Sequence, residues 1–143
     1  MNSSDCLFCR IARRDAAAAI VHEDEVCTAF LDHRPLFVGH CLLAPRRHCD
    51  TLYDLPADVV GPFFAMAQRL ARAVETGLGA QGTFLAINNK ISQSVPHLHV
   101  HVVPRRAKDG LRGFFWPREK YESAAQMEEV RAAIADALRR AAP

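Results

Sequence analysis

Apolar and polar residues recur along this chain with two periods, and the period assigns the elements. The longest pattern runs from about Ala57 to Leu78 behind Pro56. Val60, Phe64 (with Phe63), Ala67, Leu70, Val74 and Leu78 fall at three- and four-residue steps, the spacing of one apolar helix face. Gly77 and Gly79 are its stop signals. Val130, Ile134 and Leu138 mark a second amphipathic helix over about Glu122–Arg140, and Asp5 is placed to cap a short helix over Cys6–Arg13. Between the helical stretches lie short apolar runs bounded by turn residues. Strands are expected at Ala17–Val21, Val26–Leu31, Cys41–Ala44, Thr83–Ile87 and His97–Val103. A polar turn at His22–Glu25 makes a hairpin of the first two. Asp32–His40, with Pro35 and Gly39, reads as a loop, as does Asn88–Pro96. Short strands joined by tight turns predict an antiparallel sheet, and the long helix must cover one face of it, giving an α+β domain.

The last strand changes the picture. Strand side chains alternate between faces, so His97, His99 and His101 share one face while Leu98, Val100 and Val102 share the other. The apolar face can pack on the long helix. The imidazole face must meet a polar site, because three unpaired imidazoles are costly to bury. Three readings follow: solvent-exposed histidines, a three-histidine metal site, or an imidazole row for phosphate chemistry. The preceding loop, Asn88-Asn89-Lys90-Ile91-Ser92-Gln93-Ser94, favours the third, since it is dense in donors and carries one cation. A neutral imidazole can attack phosphorus and split one displacement into two easier steps. Nearby donors would take up the charge on the non-bridging oxygens.

Composition narrows the setting. The 143 residues suit one domain, with a core over about 5–105 and a C-terminal extension, 106–143. A net charge of +2 is too small to argue for nucleic-acid or membrane binding, and no apolar run approaches the ~20 residues that span a bilayer. Five cysteines, an odd number, with no visible export signal, point to the cytoplasm and to metal binding rather than disulfides. Cys6-x-x-Cys9 is half of a zinc site. His48 and His97 are candidates for the other half, with Cys49, His33 and His40 as competitors.

These residues also resemble a known family. His97-x-His99-x-His101-Val102-Val103 looks like the signature of the histidine triad (HIT) proteins. Phe30-Leu31-Asp32-x-x-Pro35-x-x-x-Gly39-His40-x-Leu42-x-x-Pro45-x-x-His48 resembles their nucleoside-binding segment, and Cys6-Leu7-Phe8-Cys9-x-Ile11 their N-terminal one. The resemblance implies a five-stranded antiparallel sheet with one long helix and short N- and C-terminal helices. It implies a hydrolase that cleaves dinucleoside polyphosphates or nucleoside phosphoramidates at the α-phosphorus, with adenosine nucleotides as substrates. A transferase or phosphorylase of the same family, or a scaffold that binds nucleotides without turnover, are the alternatives. It makes His99 the nucleophile and places His101 at the phosphate or leaving group. Gln93 and Ser94 go to the α-phosphate with Asn88 or Asn89, and Asp32 to the ribose. Phe8, Ile11, Phe30 and Leu31 go to the base. A structural zinc would take Cys6, Cys9, His48 and His97, and the chain would form a homodimer. Ser92 stands where the family commonly has glycine, and the loop is about one residue short. The segment Gly110–Arg118 either covers an active site, its own or the partner subunit's, with Arg112 and Trp116 near the substrate, or is a packing loop on the dimer surface.

Overall fold

The computed structural model describes residues 5–111 and 119–140, with residue 138 described by its backbone alone. Arg112 and Trp116 lie outside the described residues. The chain divides between Asp109 and Gly110 into two compact units, so the joint falls four residues beyond the expected end of the core. In order, the elements are α1 (Leu7–Ala12), β1 (Ile20–Glu23), β2 (Cys27–Leu31), β3 (Cys41–Pro45), a single 3-10 turn (Leu52–Asp54), α2 (Ala57–Leu78), β4 (Gly82–Ala86), β5 (Val100–Arg105) and α3 (Ala124–Arg140). Five antiparallel strands form one sheet in the order β1-β2-β3-β5-β4. No helix among the described residues is long and apolar enough to cross a membrane.

The sheet separates two apolar layers. Ala29, Leu43 and Val100 lie in one row of the register, as do Cys41 and Val102. All five are buried in the core that holds Phe63, Met66, Ala67, Leu70 and Val74 of α2. The alternate row, Phe30, Leu42 and His101, points to the other face. There Phe30 and Leu42 pack with Cys6, Phe8, Cys9 and Ile11 from the start of the chain. The histidine face and α1 therefore share one side of the sheet, and α2 occupies the other.

Several expected boundaries move. Cys6, not Asp5, is the N-cap of α1, and no side chain caps that helix. Strand β1 runs on to Glu23, and the turn follows it. Asp24 closes that turn by accepting the Val26 and Cys27 N–H groups, both at 2.8 Å, as aspartate does in Asx turns. On α2, Phe63 is fully buried and Phe64 is 38% exposed, while Met66 takes a place on the buried face and Val60 and Leu78 lie at its exposed margin. The helix ends at Gly79 in the left-handed region (φ 59°). There Arg106 donates to the Leu78 and Gly79 carbonyls, both at 2.6 Å. One of the two Arg105-Arg106 cations thus caps a helix end.

Strand β5 differs most. Its paired residues are Val100–Arg105, so His97 and His99 precede the ladder, and Pro104 lies within it opposite Thr83. Proline is accommodated because β3 pairs only with Val100–Val102, so β5 is unpaired on that side at Pro104. In the second unit, Ser123 caps α3: its Oγ accepts the Gln126 N–H at 3.1 Å.

Candidate active site

The cysteine pair is brought together with two histidines. Cys6 and Cys9 are one helical turn apart around α1, His48 follows β3 and His97 precedes β5. Cys6 Sγ lies 3.3 Å from His97 Nδ1, and Cys9 Sγ lies 3.3 Å from His48 Nδ1 and 3.6 Å from His97 Nδ1. All four ligand atoms fall within 4.8 Å of one another. Each ring is oriented from behind. His97 Nε2 donates to the Pro45 carbonyl at 2.8 Å, and His48 Nε2 donates to the Asp50 carboxylate at 2.9 Å. Those acceptors hold the protons on Nε2 and leave both Nδ1 lone pairs facing the sulfurs. Zinc with bonds of about 2.3 Å to sulfur and 2.0–2.1 Å to nitrogen sets tetrahedral S···N edges of about 3.5 Å, so the donor set fits such an ion. Burial and the neighbouring Cys6 push the Cys9 thiol up to about 11. A bound cation would supply the charge that turns it into a thiolate. The competitors lie elsewhere: Cys49, His33 and His40 are outside this cluster.

His97 also organises its neighbour. Its carbonyl accepts a 2.7 Å hydrogen bond from His99 Nδ1. The proton is thereby held on Nδ1, and Nε2 keeps its lone pair. Burial lowers the pKa of His99, and Phe8 packs edge-on against it with ring centroids 5.2 Å apart. Burial disfavours the charged form of the ring, and the Nδ1 bond fixes its orientation.

His101 has the opposite tautomer, and a residue missed in the sequence imposes it. The Leu36 N–H donates to His40 Nδ1 at 3.2 Å, so His40 carries its proton on Nε2. That proton is donated to His101 Nδ1 at 3.0 Å. His101 then presents Nε2–H as a donor. Burial, followed by the nearby His99 and His40, brings its pKa down to about 4. Asp32 lies beside this pair, with one carboxylate oxygen 3.7 Å from His40 Nδ1 and the other accepting the Arg34 N–H at 2.9 Å. In the sequence His40 stood out as a metal competitor and as part of the nucleoside-binding segment; no spacing rule links it to a residue 61 positions on.

A cleft of about 530 Å³ joins these groups, within the range of small-molecule sites. Phe8, Ile11, Phe30, Leu31 and Leu42 line it along with Ala17–Ala19, and its polar lining includes Asp32, His33, Arg34, Ser94, His99 and His101. Asn88, Asn89 and Gln93, expected at the substrate, are not among the residues that line the cleft. The Gln93 amide donates to the Asp50 carbonyl at 2.5 Å and accepts the Lys90 N–H at 2.9 Å, and Asn88 donates to the Ser92 carbonyl at 3.3 Å. Asn89 accepts the Leu52 N–H at 2.9 Å. These carboxamides are committed to backbone groups, Asn88 within the loop and Asn89 and Gln93 to the segment that carries Asp50 and Leu52.

Comparison with known proteins gives the arrangement a family. The family model described as the HIT domain matches residues 13–108. An adenylylsulfatase of Arabidopsis thaliana, HINT3, is 33% identical over 110 residues, which cover 76% of this chain but only 56% of that protein. The chain therefore spans little more than half of that relative. The yeast adenosine 5'-monophosphoramidase HNT1 (Saccharomyces cerevisiae) is 31% identical over 116 residues, 80% of this chain and 72% of that protein. A zinc-bound histidine triad protein from Mycobacterium smegmatis superposes with a TM-score of 0.72 at 38% identity, covering 97% of this chain and 99% of that one. The imidazole row, the cleft beside it and the matched domain agree: the chain belongs to the HIT family.

Proposed function

We propose that this chain is a nucleotide hydrolase acting at the α-phosphorus of nucleoside phosphoramidates or dinucleoside polyphosphates, with a nucleotidyl group carried on His99. One observation carries the reading: His99 is anchored through Nδ1 and lies beside a donor imidazole in a cleft with an apolar wall. The names of the Arabidopsis and yeast relatives support it.

In this mechanism the His99 Nε2 lone pair attacks phosphorus. The bond to the bridging oxygen or nitrogen breaks, and its electron pair stays with the leaving group, which takes a proton from water. The His99 ring becomes cationic, and the His97 carbonyl accepting Nδ1–H stabilises that charge. His101 Nε2–H donates to a phosphate oxygen or to the leaving atom. Water then attacks phosphorus and gives its proton to the hydroxide left by the first step, the P–N bond breaks, and the electron pair returns to Nε2. Ser94 assists at the phosphate, Asp32 accepts from the ribose hydroxyls, and Phe8, Ile11, Phe30 and Leu31 hold the adenine. Cys6, Cys9, His48 and His97 would hold zinc as a structural ion that keeps His97, and so His99, in place. The edge strand β4, with Leu85 exposed, is available to join a second copy of the sheet in a homodimer.

The test is turnover of adenosine 5'-phosphoramidate and diadenosine tetraphosphate by wild type and His99→Ala. We expect AMP release from at least one substrate and a loss of about 10³-fold or more in the variant, the scale of losing a nucleophile. Equal rates for both proteins exclude His99 as nucleophile. No turnover of either substrate, with AMP still bound, favours a binding protein without catalysis.

A further inference from the structure

We propose that Gln93 is a positioning residue which, with Asp50, couples the Cys6–Cys9–His48–His97 cluster to the loop beside the phosphate end of the cleft. The backbone of that loop is not self-supporting. Lys90 and Ser92 both have positive φ, 71° and 59°, a conformation costly for residues with a β-carbon. The surrounding contacts must hold it there. Three carboxamides do so: Asn88 bonds within the loop, while Asn89 and Gln93 tie it to the segment just after β3, at Leu52 and Asp50 respectively.

Asp50 faces both ways. Its carboxylate accepts from His48 Nε2–H, and its carbonyl accepts from the Gln93 amide, whose oxygen in turn holds the Lys90 N–H. A continuous line of hydrogen bonds therefore runs from a ring of the cysteine–histidine cluster to the strained turn of the loop. That loop ends in Ser94, which lines the cleft. The cluster reaches the site by a second route as well, through the His97 carbonyl on His99. Fixing the His48 ring on a metal ion fixes the Asp50 carboxylate, and through Gln93 the position of the loop. Coupling between two sites is reciprocal: whatever metal does for ligand binding in the cleft, ligand must do for metal.

The inference rests on a nucleotide occupying the cleft, so AMP is the probe. Zinc affinity of the full chain is measured by competition with a chromophoric chelator, with and without AMP. It is measured in wild type and Gln93→Ala, each saturated at the same multiple of its own AMP dissociation constant. Stabilisation of the folded state by bound ligand is then equal in both and cancels in the comparison. We expect AMP to tighten zinc about fivefold or more in wild type, the lower end of usual couplings, and less than twofold in Gln93→Ala. Gln93→Glu is the second variant, for the case that the alanine protein does not fold. It retains an acceptor for the Lys90 N–H and removes the donor to Asp50, and it should lose the coupling equally. An AMP effect of the same size in wild type and variant, or none in wild type, overturns the proposal. AMP failing to bind wild type at all overturns the nucleotide reading and this one together.

Discussion

At the scale of single residues, the two imidazoles of the histidine row that line the cleft differ in which nitrogen holds the proton. His99 keeps its proton against a carbonyl, and His101 is forced to keep it on Nε2 by His40. Replacing His40 by alanine frees His101 to adopt either tautomer and removes its anchor. We expect kcat to fall about 10–100-fold, below the 10²–10⁴ usual for losing a proton-handling group outright, while KM changes less than threefold. Steady-state kinetics on the phosphoramidate decides, and an unchanged kcat excludes the tautomer role. His97, His99 and His101 were legible as a set, because alternation along an extended chain needs no tertiary knowledge. His40 was not, because its role depends on β3 and β5 lying side by side. Gln93 was legible as a polar loop residue, but its partner, Asp50, comes from across the fold.

At the scale of elements, α2 was visible over its full length, Ala57–Leu78, despite Pro62 in its second turn. The rotation of its apolar face was not. Phe63 and Phe64 are adjacent, and a period of 3.6 fits a face centred on either. Contact with the sheet selects the phase that buries Phe63 with Met66, Leu70 and Val74. Phe63→Ala should therefore cost about 3–5 kcal/mol, the range for emptying a packed aromatic site, and Phe64→Ala under about 1 kcal/mol. Urea denaturation of both variants checks this, and a larger loss at Phe64 would place the buried face wrongly. The strand of histidines was placed too early for a related reason. His97 and His99 point along the expected face, but their backbone has no ladder partner, and pairing is decided by neighbours rather than by pattern.

At the scale of the whole molecule, the sheet buries titratable rings whose charged form is disfavoured. Burial lowers the pKa of His40, and that of His101 falls from 6.5 to about 4. The unfolded chain binds protons at these rings before the folded chain does, so acid favours unfolding. The contribution of these rings should be constant above pH 7 and decline as pH falls from about 6.5 toward 4. The urea midpoint at pH 7 and pH 5 reads this, alongside a His40→Gln, His101→Gln double variant whose pH slope should be shallower. A midpoint that holds or rises on acidification contradicts it.

The local rules sufficed for what is local. Period separated helix from strand, turn residues marked most of the loops, and alternation put three imidazoles on one face. The Cys-x-x-Cys spacing put two sulfurs on one side of a helical turn. Tertiary structure decided everything that depends on which surfaces meet. It chose His48 and His97 over Cys49, His33 and His40 to complete the cysteine cluster. It set the tautomer of His101 through the His40 ring, 61 positions away in the chain. It also joined Gln93 to a backbone carbonyl 43 residues away in sequence. A hydrogen bond is satisfied by whichever partner the fold brings within about 3 Å, and sequence distance carries no information about that.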